Sequence, residues 1–168
     1  GIDLGLKEFA ITSDGIKVEN PKYLAKSLKR LKFLQKSLSR KTKGGANREK
    51  ARIKVARLHS KIFNQRNDFL QKLSTQLIKK NDVICLEDLQ VKNMVKNHKL
   101  AQAITDVSWS EFTRMLSYKA KWNSRRIVKL DKFYPSSQLC HCCGYKNTDT
   151  KDLSVREWTC LKCGTHHD

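Results

Sequence analysis

The stretch GIDLGLKEFAITSDGIKVENP, residues 1–21, decides the fold because it places β structure at the start of a chain otherwise rich in helical patterns. Apolar side chains recur at alternating positions around turn signals: Ile2, Leu4, Phe9, Ile11, Ile16 and Val18. Asp14-Gly15 is a strong signal for a hairpin turn. We therefore predict an antiparallel β-hairpin that ends before Pro21.

Two long helices are predicted after this hairpin. Leucines recur every three or four residues from Lys22 to about Lys41, at positions 24, 28, 31, 34 and 38. Gly44-Gly45 interrupts the pattern, and a second apolar stripe runs from about Asn47 to Lys80. Two helices joined by a short glycine turn favour an antiparallel helical hairpin at about residues 22–80.

The next segments alternate between strand and loop patterns. Residues 83–86 are a short apolar run typical of a strand buried on both faces. Residues 92–106 are polar and are predicted as a loop. RRIVKLDKFYP, residues 125–135, predicts another strand. The order of elements is typical of an α/β protein with an antiparallel start.

One more helix is predicted between these strands. Ser108 and Glu111 have the spacing of a capping box at its start. Trp109, Phe112 and Leu116 lie along one side of this helix and are interpreted as core residues.

The charge of the chain favours a polyanionic partner. It has 168 residues with 35 Lys+Arg against 16 Asp+Glu, a net charge of +19 and a pI near 9.9. Nucleic acid is the first partner class that such an imbalance suggests, and an anionic membrane surface is the second. No apolar run is long enough to span a bilayer. A membrane-surface role is not favoured either, because the predicted helices carry no broad aromatic face and such a role would leave the cysteine motifs unexplained.

Most of the positive charge lies in one segment. Residues 22–66 carry 16 Lys or Arg and a single acid, Glu49. The segment is predicted to contact a phosphate backbone, although a solvated helical face is the alternative. The candidate nucleic-acid-binding residues are Lys29, Arg30, Arg40, Lys41, Lys43, Arg48, Lys50 and Arg52.

Two cysteine pairs predict a zinc ribbon. Cys140, Cys143, Cys160 and Cys163 form two CxxC motifs, each followed by glycine. This spacing is a strong signal for a structural zinc ion held by four thiolates. Cys143 is favoured over the alternative Cys142, because pairing Cys142 with Cys140 would spoil the match between the two motifs.

Two carboxylates lie in or at the end of apolar strands. Asp3 stands between Ile2 and Leu4, and Glu87 follows the apolar run that begins at Val83. If the two strands are neighbours, both carboxylates could share divalent cations for phosphodiester hydrolysis. A turn or edge position for Asp3 and a lysine partner for Glu87 are the structural alternatives. Asp88 points to the opposite face and is a weaker candidate.

Several stretches together resemble the TnpB/OrfB family of transposon-encoded RNA-guided DNA nucleases, which are relatives of the type V CRISPR effectors. They are GIDLGLKEFAITSDG, NQRNDFLQKLSTQL, VICLEDLQVKNM, FYPSSQLCHCCGYKN and REWTCLKCGTHHD. The resemblance implies an RNase H-like (RuvC-like) α/β nuclease fold with a long basic helical hairpin and an inserted four-cysteine zinc ribbon. It implies a nuclease domain over residues 1–134 and the zinc ribbon, leading into the final catalytic motif, over residues 135–168.

The resemblance also implies roles for individual residues and partners. Asp3 and Glu87 match the first two catalytic acids, with Mg²⁺ or Mn²⁺ as the catalytic ion and Zn²⁺ as the structural one. Asp168 matches the first aspartate of the last motif, and the third catalytic acid is expected two residues beyond it. The implied partners are a guide RNA and a DNA target rather than a small-molecule substrate, in the cytoplasm at the nucleoid of a prokaryote.

Two functions are therefore carried forward. The first is the nuclease domain of an RNA-guided endonuclease active in DNA transposition and recombination, with its catalytic site incomplete in these 168 residues. The second is a zinc-ribbon module, or a truncated transposase remnant, that binds DNA or RNA without cutting it.

Overall fold

The computed structural model of the chain describes residues 1–131, 135, 138–152, 155 and 157–167. It forms two compact units, Gly1–Leu130 and Asp131–Asp168. The first unit is a five-stranded sheet with helices, and the second contains the cysteine motifs. No helix in the described part of the chain combines the length and apolar character that a membrane span requires.

The sheet of the first unit is mixed. Its strands are β1 (Ile2–Leu4), β2 (Glu8–Thr12), β3 (Lys17–Glu19), β4 (Val83–Glu87) and β5 (Arg126–Leu130). They lie in the order β3-β2-β1-β4-β5, where β1, β2 and β3 are antiparallel neighbours and β4 is parallel to both β1 and β5. The predicted hairpin is confirmed and extended, because a second turn divides residues 1–21 into three strands.

The two turns of this meander use glycine for different reasons. Gly15 has a φ of 79° in the predicted Asp14-Gly15 turn, a left-handed conformation that glycine adopts without strain. Gly5 follows β1, where a Cβ atom would stand 2.9 Å from the carbonyl oxygen of Glu8. The turn after Asp3 therefore closes tightly only because residue 5 has no side chain.

The helical hairpin is confirmed with small changes at its ends. Helix α1 spans Tyr23–Ser39 and helix α2 spans Ala46–Lys80. Leu31 of α1 and Ala51 of α2 are buried between neighbouring elements. The other leucines of the α1 stripe are half-buried, because the far part of a two-helix hairpin can cover only one side of each helix.

The prediction of a loop at residues 92–106 is wrong. The structure has a short helix α3 at Val91–Met94 and helix α4 at His98–Val107. Ile104 and Val107 of α4 are buried in the core, so burial of one apolar side outweighs the polar composition of the segment.

The predicted capping box is also wrong. Ser108 joins α4 to helix α5 (Trp109–Trp122) in a left-handed conformation with a φ of 58°. Its hydroxyl donates to the carbonyl of Thr105 instead of accepting from the start of α5. Glu111 pairs with Arg114 one turn later.

The core of the first unit lies on one face of the sheet. Trp109, Phe112 and Leu116 are buried as predicted. Phe9 of β2 packs edge-on against Phe112, with ring centroids 5.1 Å apart, and against Phe69 of α2 at 5.0 Å. Strand β4 is buried on one face only, because Ile84 and Leu86 enter the core while Val83 is exposed.

A buried lysine fastens α5 to α2. The Lys119 ammonium donates to the carbonyl of Gln71 at 2.9 Å, to Ser74 Oγ at 2.8 Å and to Thr75 Oγ1 at 2.7 Å. Burial lowers the pKa of Lys119, and the three oxygen acceptors compensate for the lost water. This contact holds the base of the long helix α2 against the body of the unit.

Candidate metal sites and nucleic-acid interface

Asp3 and Glu87 lie side by side at the centre of the sheet. Strands β1 and β4 are parallel neighbours, with Ile2 opposite Leu86. One residue further along both strands, Asp3 and Glu87 are adjacent and point to the same face, since side chains alternate along a strand. Ile2 and Leu86 are buried, so the carboxylates occupy the face away from the helical core.

The two carboxylates repel each other. Burial raises the pKa of Glu87, and the neighbouring charge of Asp3 raises that pKa further. Asp3 is exposed and Glu87 is half-buried, so the pair is open to solvent and ligands. Carboxylate oxygens are the preferred ligands of Mg²⁺ and Mn²⁺. A divalent cation between them would relieve the repulsion, and the donor set therefore fits such an ion.

Asp88 has a different environment. Its carboxylate accepts a hydrogen bond from Lys129 Nζ at 3.0 Å, so it has a cationic partner where Glu87 has an anionic one. Asp168, the weaker catalytic candidate that matches the first aspartate of the last motif, lies outside the described residues. The structure thus brings together two of the three predicted acids.

The four predicted zinc ligands converge. The Sγ atoms of Cys140, Cys143, Cys160 and Cys163 all lie within 4.8 Å of one another. Two of the Sγ–Sγ distances are 3.4 Å and 3.6 Å. A tetrahedral zinc ion with Zn–S bonds of about 2.3 Å separates its sulfurs by about 3.8 Å. The cluster therefore fits a zinc ion held by four thiolates.

Matching backbone turns aim these sulfurs. The N–H of Gly144 donates to the backbone carbonyl of Cys140 at 2.9 Å, and the N–H of Gly164 donates to the backbone carbonyl of Cys160 at 2.8 Å. Gly144 and Gly164 have φ angles of 71° and 72°, so both turns need a residue that adopts the left-handed region easily. The two CxxC-Gly motifs thus adopt the same turn conformation.

The sulfurs of the cluster oppose the deprotonation of one another. The hydroxyl and backbone N–H of Thr165 lower the pKa of Cys163 to about 6. The backbone N–H of Tyr145 favours the Cys143 thiolate, yet burial and the neighbouring sulfurs outweigh it and raise the pKa of Cys143 to about 12. A bound divalent cation would remove this conflict, as expected for a metal site.

The other cysteine and histidine side chains near these motifs lie outside the cluster of four. Cys142 is exposed, as are His141 and His166. His167 stacks on Trp158 with ring centroids 4.3 Å apart, across the antiparallel pair of β6 (Trp158–Thr159) and β7 (His166–His167).

The predicted basic residues divide into two groups. Six are exposed on the helical hairpin and its connection: Lys29, Arg30, Arg40, Lys43, Lys50 and Arg52. Lys41 and Arg48 are half-buried. Arg52 is already paired with Glu49, with a 2.8 Å hydrogen bond to its carboxylate.

Arg48 has a structural role that the sequence did not reveal. Its guanidinium donates to the carbonyls of Leu38 and Lys41, both at 3.1 Å. These carbonyls lie at the end of α1 and just beyond it, where helical partners are missing. Arg48 therefore closes the tip of the hairpin and is less available for a phosphate than the exposed lysines.

Asp106 fixes the other end of the hairpin. Its carboxylate accepts from the backbone N–H of Leu24 at 3.1 Å and of Ala25 at 3.3 Å, at the first turn of α1. It also accepts from Arg66 of α2 at 2.8 Å. Sequence reasoning missed it because residues 92–106 were predicted as a loop. The spacing of Ile104 and Val107 was the available signal for a helix.

Together, the fold and the sites define a mixed α/β protein with a surface carboxylate pair, a four-cysteine cluster that could hold zinc, and a basic helical hairpin. Residues 1–98 match the family model OrfB_IS605, described as "Probable transposase". The chain therefore belongs to this family. Residues 109–168 match the model of the Cas12f1-like TNB domain.

Known proteins with similar sequences carry related names. A "Putative RNA-guided DNA endonuclease" of Streptomyces pristinaespiralis is 48% identical over 168 residues, which are 100% of this chain and 41% of the relative. The "Putative RNA-guided DNA endonuclease InsQ" of Escherichia coli K12 is 35% identical over 95% of this chain and 43% of the relative. The chain thus spans about two fifths of the length of these relatives.

A solved structure shares the fold. The structure of a Cas12f1–sgRNA–target DNA complex, determined by cryo-EM, has a chain that matches this one with a TM-score of 0.61. The match covers 100% of this chain and 46% of the other, at 15% sequence identity. At that identity the likeness concerns the fold alone.

Proposed function

We propose that the chain is a RuvC-like nuclease domain of a transposon-associated, RNA-guided DNA endonuclease, with a zinc ribbon that has a structural role. The observation that carries this proposal is the carboxylate pair of Asp3 and Glu87 on neighbouring parallel strands. Its mutual repulsion and its exposure are unfavourable for a purely structural pair and suit a cation-binding site.

The strand order supports the RuvC-like assignment. An antiparallel meander is followed by two strands parallel to β1, in the order β3-β2-β1-β4-β5. This order places β1 and β4 next to each other at the middle of the sheet. Asp3, in the middle of β1, and Glu87, at the end of β4, are adjacent there, and a third carboxylate of the family pattern would complete the group.

Within this site the residues have separate tasks. When bound, divalent cations would supply an activated water and stabilise the leaving oxygen of a phosphodiester. Asp3 and Glu87 would hold the cations at the sheet surface. The exposed basic residues of the hairpin would hold a DNA target and a guide RNA through their phosphates. Such a domain would act in the cytoplasm, at the nucleoid.

The metal-binding part of this proposal is tested by calorimetry with Mn²⁺ on the zinc-loaded chain. Asp3→Asn and Glu87→Gln are each expected to weaken Mn²⁺ binding at least tenfold, since each removes a charged ligand. Asp88→Asn is the matched control, because it removes a neighbouring carboxylate that Lys129 already pairs with. Equal binding by all four proteins would refute the cation site.

The catalytic part is tested in a chimera in which this chain replaces the matching segment of the Streptomyces relative. Asp3→Asn should reduce Mg²⁺-dependent, guide-directed DNA cleavage about 100-fold or more and leave nucleic-acid affinity unchanged, while Asp88→Asn should cleave normally. If Asp3→Asn and Glu87→Gln both cleave like the parent chimera, the non-catalytic binding module is the correct function.

A further inference from the structure

A cleft lies between α1 and α2 near the tip of the hairpin. Its volume is about 250 Å³. Three lysines and no acid are among its lining residues, which are Phe33, Leu34, Ser37, Lys41, Asn47, Lys50, Ala51 and Lys54. The cleft therefore combines an aromatic ring, positive charge and neutral hydrogen-bonding side chains in one place.

Packing within the hairpin does not explain Phe33. The side of α1 that faces α2 carries leucines, and Leu31 is the buried one. Phe33 is 71% exposed, although a phenyl ring has no polar atom to interact with water. Phe63 of α2 is also exposed, at 64%, but it is not part of the cleft. The two phenylalanines thus form a natural pair of test and control.

Three lysines line the cleft together with Phe33 and come from two parts of the hairpin. Lys50 and Lys54 are four residues apart on α2, so they lie on the same side of the helix. Lys41 approaches from the connection that follows α1. Ser37 is one turn beyond Phe33 on α1, and Asn47 lies at the start of α2. Both could donate to or accept from the edge of a base.

We propose that this cleft binds one unpaired nucleotide of a single-stranded nucleic acid, with its base stacked on Phe33 and its flanking phosphates on Lys41, Lys50 and Lys54. Every base has a face that stacks on an aromatic ring, so this contact tolerates any sequence. The bases of a duplex are already stacked, so the site selects unpaired strands. This inference rests on the proposed nucleic-acid interface of the hairpin and adds its strand preference.

The test measures binding of labelled oligothymidylate to the zinc-loaded chain by fluorescence anisotropy. A second probe has the same phosphates and no bases, a third is a duplex of equal length, and a fourth is polyglutamate. Phe33→Ala is expected to weaken oligothymidylate binding about tenfold, which is the effect of losing one stacked base. It should leave binding of the abasic and duplex probes unchanged, and Phe33→Trp should retain full affinity.

Two controls separate stacking from charge and folding. Phe63→Ala should bind oligothymidylate like the wild type, and the thermal melting of both alanine variants should be unchanged because both rings are exposed. Lys50→Ala should weaken binding of both single-stranded probes, oligothymidylate and abasic, and lower the slope of log affinity against log salt by about one.

The possible failures are distinguishable. If the wild type binds none of the nucleic-acid probes, the proposed interface and this inference both fail. If the wild type binds but Phe33→Ala behaves like Phe63→Ala, or weakens the abasic probe equally, the stacking site alone is overturned. An equal loss of polyglutamate binding would identify an acidic protein as the occupant and would also overturn the inference.

Discussion

The two candidate metal sites of this chain are built in opposite ways. The four cysteines lie within two short motifs of one compact unit, and their sulfurs are within 4.8 Å of one another. Asp3 and Glu87 come from strands far apart in the sequence, and only the pairing of β1 with β4 makes them neighbours. The cysteine cluster offers four ligands, whereas the carboxylate pair offers two and faces solvent.

This difference indicates what each site does for the protein. A tetrahedral zinc ion held by four thiolates would have no coordination position left open, so the cysteine cluster would support folding rather than chemistry. Two carboxylates leave several positions of a hard cation for water and phosphate oxygens. The first site should therefore stabilise its unit strongly, and the second should slightly destabilise the protein until a cation binds.

Removal of one cysteine should have the largest effect. Cys160→Ser replaces a buried cysteine of the proposed zinc site, and binding of a structural zinc ion supplies on the order of 10 kcal/mol of folding free energy. We expect loss of bound zinc and unfolding of the second unit, measured as zinc release and as a change in the near-ultraviolet circular dichroism of Trp158. The helical signal of the first unit should persist. A folded, zinc-free second unit would contradict the structural role.

Replacement of Asp106 should have the second largest effect. The carboxylate of Asp106 has hydrogen-bonding and cationic partners, whereas the carboxylates of Asp3 and Glu87 repel each other. The side chain of Asp106 is 8% exposed and holds both the first turn of α1 and Arg66. Asp106→Asn leaves the charge of Arg66 without its partner and should lower the free energy of unfolding by about 3 kcal/mol. Urea unfolding followed by circular dichroism measures this loss.

The control for Asp106 is Glu111→Gln, which breaks an exposed pair with Arg114. Its effect should stay below about 0.5 kcal/mol, because solvent screens exposed ion pairs. If both variants lose the same small amount, Asp106 does not anchor the hairpin.

Glu87→Gln should change stability in the opposite direction. It removes a half-buried charge and the repulsion of that charge by Asp3, so the melting temperature should rise when no divalent cation is present. The free energy of unfolding should increase by less than about 1 kcal/mol, because the pair is open to water. Addition of Mn²⁺ should then raise the melting temperature of the wild type and leave that of Glu87→Gln unchanged. A variant that is less stable than the wild type without metal would show that Glu87 is structural.

The pH dependence of this stability difference has a definite sign. The pKa of Glu87 is raised in the folded protein above its ordinary value of 4.5. Between these two values the folded state binds more protons than the unfolded state, so stability falls as pH rises. The advantage of Glu87→Gln should therefore be absent below pH 4.5 and appear as pH rises through the folded pKa of Glu87. Thermal melts from pH 4 to pH 8 without metal measure this difference, and a difference that does not change with pH would contradict a raised pKa of Glu87.

Replacement of Cys142 should have the smallest effect. Its side chain is exposed and its sulfur is outside the cluster of four. Cys142→Ser should retain one bound zinc per chain and an unchanged melting temperature. Loss of zinc would mean that Cys142, and not Cys143, is the ligand.

Periodic patterns correctly predicted the helices and strands that depend on residues close together in the sequence. The alternating residues around Asp14-Gly15 and the spaced leucines of α1 were interpreted correctly, because strand and helix periods are local properties. The prediction failed for α4, because the polar composition of residues 92–106 was given more weight than the helical spacing of Ile104 and Val107, which are buried. It also failed at Ser108, whose backbone is held left-handed between two packed helices.

The sequence by itself determined the two CxxC-Gly turns, because each turn is encoded by five consecutive residues that contain both cysteines and the glycine. It also determined that residues 22–66 carry most of the excess positive charge. Only the tertiary structure decided which of these charges are available, since Arg48 closes the hairpin tip and Arg52 is paired. The tertiary structure likewise placed Glu87 beside Asp3, because strand pairing depends on packing across the whole sheet and not on local pattern.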